Sequence, residues 1–121
     1  MAEARLLFVE DEDDLRMLVG EALRMLGYHV VAVPDGPSAL AAMQASSFDV
    51  LVSDVSMPHG ISGIELAEHT LRVQPGARIV LASGFARAQL PPLPPGVSFL
   101  PKPYRIGQLA ALIRERLPVS G

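Results

Sequence analysis

Five short apolar runs recur along the chain, and each is followed by polar or turn-forming residues. The runs cover residues 6–9, 30–33, 50–54, 79–82 and 97–100. Apolar runs of this length, bounded by breakers, are typical of strands that are covered on both faces of a sheet. The sequence therefore predicts five buried strands, and the third of them ends in a carboxylate, Asp54.

The segments between these runs predict helices. Residues 15–26 repeat apolar side chains every three or four positions, after an acidic start and before Gly27, which is a natural helix end. Pro37 suits the first turn of a second helix that runs to about Gln44. A third helix begins with the capping-box sequence of residues 62–65 and continues to Leu71. A last helix contains residues 106–113 and is expected to end at Pro118.

The methionines at helical positions are expected to fill the core. Met17 and Met25 belong to the first predicted helix and Met43 to the second. A flexible, apolar side chain at such a position is most often a core residue.

A proline-rich segment interrupts the alternation. Only residues 84–90 could be helical after the fourth strand, about two turns at 3.6 residues per turn. Pro91, Pro92, Pro94 and Pro95 then forbid continuation. The fourth helix, between strands four and five, is therefore predicted to be short or missing.

Strands that alternate with helices predict an α/β fold with a doubly wound parallel sheet. Such sheets bind ligands at the carboxyl ends of their strands. The residues at or just after those ends are, in chain order, Glu10 and Asp11, Asp54, Ser83 and Lys102. All of the candidate chemistry is thus expected at one edge of the sheet.

Length and composition narrow the class of protein. The 121 residues suit one domain, 1–121, with a hydrophobic core. The net charge is −3 and no basic run appears, so no nucleic-acid partner is expected. The absence of cysteine excludes disulfides and Cys-based zinc sites. The first apolar run is too short for a signal peptide or a membrane span, so we expect no membrane contact and a cytoplasmic location.

The cluster of charges predicts a magnesium-dependent site for phosphoryl groups. Two carboxylates about 4 Å apart repel each other by roughly 4 kcal/mol at an effective dielectric near 20, so Glu10, Asp11 and Asp54 need a cation. Mg²⁺ suits such oxygen ligands, and the backbone carbonyl of Ser56 could complete the protein's share. Lys102 and the Ser83 hydroxyl would contact phosphoryl oxygens. Asp54, central in the sheet, is the predicted nucleophile.

Four motifs in this order carry a family resemblance. They are Val-Glu-Asp-Glu at residues 9–12, Asp-Val-Ser-Met-Pro at 54–58, Ala-Ser-Gly at 82–84 and Leu-Pro-Lys-Pro-Tyr at 100–104. Together they resemble the CheY-like receiver domain of two-component response regulators, over essentially the whole chain. The resemblance implies a flavodoxin-like five-stranded sheet of order 2-1-3-4-5.

The resemblance also implies roles for particular residues. Asp54 would be the phosphoacceptor, served by a histidine kinase or a histidine phosphotransfer protein, and phosphorylation would switch binding to an unknown downstream protein. Glu10 and Asp11 would hold Mg²⁺, Ser83 and Lys102 would bind the phosphoryl group, and Phe99 would be the switch aromatic. A cis Lys102–Pro103 bond and no enzyme activity beyond self-phosphorylation and autodephosphorylation are further implications.

Two features depart from the usual family pattern. The loop at residues 59–62 is one residue longer than is typical, and in this it resembles receivers of hybrid histidine kinases. The shortened fourth helix alters the surface that such domains ordinarily use for output.

Three other functions are compatible with some of the same residues. A pseudo-receiver would bind partners without phosphorylation. A Mg²⁺-dependent phosphohydrolase would use Asp54 as its nucleophile, although the segment Asp54-Val55-Ser56 lacks the second aspartate of the dehalogenase-like phosphatases. A flavin-binding protein is disfavoured because the first loop is acidic where a phosphate would have to bind.

Overall fold

The computed structural model describes residues 4–116, which form a five-stranded parallel sheet with helices on both faces. The strands are β1 (Arg5–Val9), β2 (His29–Val33), β3 (Val50–Asp54), β4 (Arg78–Ser83) and β5 (Ser98–Pro101). Their order is β2-β1-β3-β4-β5, with every neighbouring pair parallel. The predicted fold class, strand number and order are confirmed, and β3 lies at the centre of the sheet.

Within the described residues 4–116, four α-helices cover the sheet, two on each face. They are α1 (Asp13–Met25), α2 (Gly36–Ala45), α3 (Gly63–Val73) and α4 (Ile106–Arg116). Helices α2 and α3 pack on one face, whereas α1 and α4 pack on the other. The predicted end of the last helix at Pro118 lies outside the described residues. Among residues 4–116, no helix is both long and apolar enough to cross a membrane.

Local signals account for where the helices begin and end. Asp35 accepts a hydrogen bond from the backbone N–H of Ser38 at 2.9 Å and so caps α2. Ser62 and Glu65 form the predicted capping box of α3, since each side chain accepts the other residue's backbone N–H at 3.1 Å. Gly27 follows α1 with φ of 102°, a conformation that favours glycine.

The connection between β4 and β5 contains no α-helix. A single 3₁₀ turn at Arg87–Gln89 is its only helical element, and the proline-rich strap of residues 90–96 follows. Leu90 and Leu93 of this strap pack against the core on the α2–α3 face. The prediction of a short or missing fourth helix is thereby confirmed.

The long loop between β3 and α3 turns back onto α2. His59 and Gly60 adopt φ angles of 64° and 108°, so two successive left-handed residues reverse the chain there. Ile61 then lies against Gly36, where an added Cβ would come within 2.6 Å of the Ile61 Cγ1 atom. A contact with the start of α2 therefore holds this loop in place.

The prediction that three methionines fill the core is wrong for two of them. Met43 is buried, but the side chains of Met17 and Met25 are 67% and 87% exposed. The buried side of α1 is formed by Val19 and Leu23. Apolar residues occupy two neighbouring stripes of this helix, and only one stripe can face the sheet.

Candidate functional site

The carboxyl edge of the sheet gathers the predicted site residues. Asp54 and Ser83 are the last residues of β3 and β4, and Lys102 directly follows β5. Glu10 directly follows β1 and donates its backbone N–H to the Val33 carbonyl at 3.0 Å. Because the strands are parallel, these side chains emerge at one edge, as the sequence predicted.

Asp54 is a buried carboxylate paired with a lysine. Its side chain is 9% exposed, and its Oδ1 atom lies 2.7 Å from the Nζ atom of Lys102. Behind it, α3 approaches so closely that a Cβ on Gly63 would lie 2.8 Å from the Asp54 carbonyl carbon. Asp54 is thus fixed by packing on one side and by charge on the other.

Glu10 and Asp11 complete an acidic cluster with Asp54. One carboxylate oxygen of each lies within 4.8 Å of the corresponding oxygens of the other two. Glu10 is buried and Asp11 is exposed, so the cluster is open to solvent on the Asp11 side. Three convergent carboxylate oxygens fit a hard divalent cation such as Mg²⁺.

A pocket of about 160 Å³ opens above Asp54. Asp11, Ser56, Ser83 and Lys102 are among its lining residues, and so is the loop residue Phe85. The Ser83 hydroxyl oxygen accepts the backbone N–H of Phe85 at 3.0 Å. The pocket therefore brings together a carboxylate, an ammonium and a hydroxyl group.

Phe99 lies away from this pocket. It pairs with Leu81 across the β4–β5 ladder and is half-buried. It faces the same side of the sheet as Val97, which belongs to the core on the α2–α3 face. The Lys102–Pro103 bond is cis, as the resemblance implied.

The charges at the site perturb each other's protonation. Burial, reinforced by the neighbouring Glu10, raises the pKa of Asp54 to about 7 although Lys102 opposes the rise. Burial alone would raise the pKa of Glu10, but hydrogen bonds from Asp54, the Glu12 N–H and Lys102 lower it overall. Burial would lower the pKa of Lys102, yet the two carboxylates raise it well above its usual value. Near neutral pH, Asp54 therefore retains a substantial protonated fraction in the metal-free chain.

This raised pKa predicts a pH-dependent stability difference between the wild type and Asp54→Asn. Folded Asp54 holds its proton up to about pH 7, whereas the unfolded chain loses it near the ordinary value of 3.8. Wild-type stability should therefore fall relative to Asp54→Asn as the pH rises through this interval, by about 1–3 kcal/mol. Urea unfolding at about pH 5 and about pH 8, without divalent cations, measures the difference.

The control for this experiment is Asp14→Asn, which removes an exposed carboxylate from α1. Its stability difference from wild type should not change over the same interval. A difference for Asp54→Asn that is equal at both pH values would contradict the raised pKa.

Sequence reasoning missed three parts of this arrangement. Lys102 pairs with Glu10 as well as with Asp54, and its Nζ atom lies 2.9 Å from Glu10 Oε1. Phe85 forms part of the pocket, although its position two residues after Ser83 indicated only a loop. Arg16 bonds to the Glu10 backbone carbonyl at 2.9 Å, and its position three residues after Asp13 was the available signal.

Comparison with known proteins identifies the family. The family model described as "Response regulator receiver domain" matches residues 6–114. The response regulator receiver protein CpdR of Brucella abortus is 34% identical over 116 residues, which cover 93% of this chain and 96% of CpdR. The sensor kinase CckA of the same organism is 36% identical over 119 residues, 94% of this chain but 12% of that kinase.

Solved structures agree with this result. The receiver domain of the hybrid histidine kinase CckA has a TM-score of 0.81 at 37% identity, covering 94% of this chain and 99% of that one. The response regulator TrrA of Thermotoga maritima, solved with Mg²⁺ and a beryllium fluoride group, has a TM-score of 0.80 at 27% identity, over 94% and 99% of the two chains. From its motifs, its sheet and these matches, the chain belongs to the receiver domain family of two-component response regulators.

Proposed function

We propose that this chain accepts a phosphoryl group on Asp54 from a histidine kinase or a histidine phosphotransfer protein. The observation that carries the proposal is the environment of Asp54. A buried carboxylate lies 2.7 Å from a lysine, beside two further carboxylates, at the base of a pocket of about 160 Å³. This arrangement suits a nucleophile that attacks an anionic group, since the positive charge is already in place.

The reaction needs little from the protein beyond positioning and charge. An Asp54 oxygen attacks phosphorus, and the bond between phosphorus and the donor's imidazole nitrogen breaks, leaving its electron pair on that nitrogen. Lys102 remains beside the new acyl phosphate and binds one phosphoryl oxygen. The transfer is therefore an exchange of one bond to phosphorus for another.

The metal site belongs to the same proposal. Glu10, Asp11, Asp54 and the backbone carbonyl of Ser56 are its proposed ligands, and Ser56 lines the pocket. Mg²⁺ bound there would supply positive charge that favours the ionised form of Asp54 and offsets the charge of the phosphoryl oxygens. The pKa of Asp54 is raised in the metal-free chain, so part of the carboxyl group is protonated there and cannot act as a nucleophile. The reaction should therefore require Mg²⁺.

Ser83 is the proposed link from the phosphoryl group to the loop after β4. A hydroxyl group can donate one hydrogen bond while it accepts another. Ser83 can therefore donate to a phosphoryl oxygen and still accept the Phe85 N–H, so movement of its side chain moves this loop. Phe99, half-buried on the neighbouring strand, is the proposed switch aromatic that follows this movement.

The output in this proposal is altered binding to a downstream protein, and the reaction takes place in the cytoplasm. Phosphorylation adds negative charge and acceptor oxygens at the pocket, which favours one of two loop arrangements. The proposal includes no other enzyme activity and no contact with nucleic acid or membrane.

The test is labelling of the wild-type chain with a small phosphodonor. With acetyl phosphate and Mg²⁺, we expect intact-mass analysis to show one added phosphoryl group, labile to hydroxylamine as an acyl phosphate is. Removal of Mg²⁺ by a chelator should reduce the labelling rate at least about a hundredfold. Peptide mapping should place the group on Asp54, and a screen of histidine kinases should then find a preferred donor.

Two outcomes would overturn the proposal. A chain that takes no label under these conditions would be a pseudo-receiver that acts through binding alone. Continuous turnover of a small phosphate ester without a stable acyl phosphate would instead make it a Mg²⁺-dependent phosphohydrolase.

A further inference from the structure

The loop between β1 and α1 holds two of the proposed metal ligands in different ways. The Glu10 carboxylate is fixed on both oxygens, by Lys102 at 2.9 Å and by the backbone N–H of Glu12 at 3.1 Å. The Asp11 side chain is exposed and makes no hydrogen bond or ion pair within residues 4–116. The position of Asp11 therefore depends on the backbone that carries it.

Arg16 ties the two ends of this backbone segment together. Its Nη1 atom donates to the Glu10 backbone carbonyl at 2.9 Å, and its Nη2 atom pairs with Asp13 Oδ1 at 2.6 Å. The Arg16 side chain is only 21% exposed, so most of it is covered by the fold. The planar guanidinium group thus connects residue 10 to residue 13, and Asp11 lies between these two residues in the sequence.

The start of α1 lacks the side-chain cap that most helices have, so the two Arg16 contacts matter more there. Glu12, the residue that precedes the helix, makes no side-chain hydrogen bond to the first turn. Such a bond ordinarily links the residue before a helix to a backbone N–H of its first turn. Arg16, from the first turn of α1, supplies the missing connection between the helix and the preceding loop.

We propose that Arg16 is a positioning residue that holds the β1–α1 loop in the shape in which Asp11 can bind the metal ion. This inference rests on the proposed function, because the metal site is part of that function. Arg16 acts through the Glu10 backbone carbonyl and Asp13. It bonds to none of the three carboxylates of the acidic cluster, and it does not line the pocket above Asp54.

An electrostatic role and a positioning role for Arg16 predict opposite changes in Mg²⁺ affinity when the arginine is removed. A positive charge near the acidic cluster repels a cation, so loss of the charge alone should tighten Mg²⁺ binding. Loss of the tether should weaken it, since residues that orient metal ligands typically change affinity by about 10–100-fold. The direction of the change therefore separates a positioning role from a simple electrostatic one.

The experiment is a titration of the unphosphorylated chain with Mg²⁺, followed by NMR or calorimetry. We expect Arg16→Gln to weaken Mg²⁺ binding by about tenfold. Arg16→Lys keeps the charge but lacks the planar fork that reaches two acceptors, so it should weaken binding nearly as much. Tighter or unchanged binding in Arg16→Gln, or full retention of affinity in Arg16→Lys, would overturn the inference.

Arg24→Gln is the matched control. Arg24 lies on the same helix and likewise donates to a backbone carbonyl, that of Val30 at 3.1 Å. Its removal tests the loss of an arginine tether from α1 away from the acidic cluster. Mg²⁺ affinity should remain within about twofold of wild type, and a loss equal to that of Arg16→Gln would assign both effects to the helix as a whole.

Hydrogen exchange of the metal-free chain provides a second readout. The Glu12 amide, which donates to the Glu10 carboxylate, should exchange faster in Arg16→Gln and not in Arg24→Gln. Unchanged exchange would contradict the tether. If the wild-type chain binds no Mg²⁺, the metal assignment of the proposed function fails, and the exchange measurement still decides whether Arg16 shapes the loop.

Discussion

Asp54→Asn should abolish phosphoryl labelling of the chain. Asparagine keeps the size of the side chain, but its amide is a poor nucleophile that cannot form the acyl phosphate. The other carboxylates at this edge do not replace it. Glu10 is buried behind the Lys102 contact, and Asp11 lies at the open side of the cluster. We expect no stable label with acetyl phosphate and Mg²⁺, as measured by intact mass.

Two further variants distinguish loss of the nucleophile from loss of a neighbouring charge. Lys102→Met retains the nucleophile and removes the ammonium 2.7 Å from it, so labelling should be slowed by about a hundredfold rather than abolished. Asp14→Asn removes an exposed carboxylate of α1 and should leave the rate unchanged. A label of wild-type stability on Asp54→Asn would refute Asp54 as the phosphoacceptor.

The position of the site could be predicted from the sequence because it depends on topology. Parallel strands bring their carboxyl ends to one edge, so residues 54, 83 and 102 had to meet once the five strands were recognised. The pairing within the site could not be predicted in the same way. Whether Lys102 contacts Asp54, Glu10 or both is decided by side-chain conformations and burial, and the structure shows both contacts.

The fold was predictable where a residue type restricts the backbone directly. Consecutive prolines forbid a helix, and the strap of residues 90–96 follows from them. The orientation of α1 was not predictable to the same degree. Met17, Leu18 and Met25 are as apolar as the residues that face the sheet, and only packing against β1 and β2 selects the buried stripe.

The missing helix changes the environment of the proposed switch aromatic. In the connection between β4 and β5, two leucines of the strap contact the α2–α3 face of the sheet in place of a helix. Phe99 on β5 is half-buried in the unphosphorylated chain, and no α-helix lies in this connection to cover it. A change in its side-chain conformation would alter the surface of the chain directly, without having to displace a covering helix.

Gly63→Ala should be strongly destabilising. An added Cβ would lie 2.8 Å from the Asp54 carbonyl carbon and 2.9 Å from the Val55 Cα atom, closer than real Cβ atoms approach other atoms. These neighbours are backbone atoms of β3 and its end, so no side-chain rotation can relieve the contact. We expect the free energy of unfolding to fall by at least about 3 kcal/mol, as measured by urea unfolding with far-ultraviolet circular dichroism.

Gly107→Ala provides a control of opposite sign. Gly107 lies in the first turn of α4, and an added Cβ there would have no atom within 4 Å apart from its chain neighbours and the backbone of its own helix. Alanine is favoured over glycine in a helix, so this variant should be more stable than wild type by about 0.5–1 kcal/mol. The two substitutions add the same methyl group, and their difference isolates the contact between α3 and Asp54. If the free energy of unfolding of Gly63→Ala lies within about 0.5 kcal/mol of the wild-type value, α3 can move away from β3, and its packing does not fix Asp54.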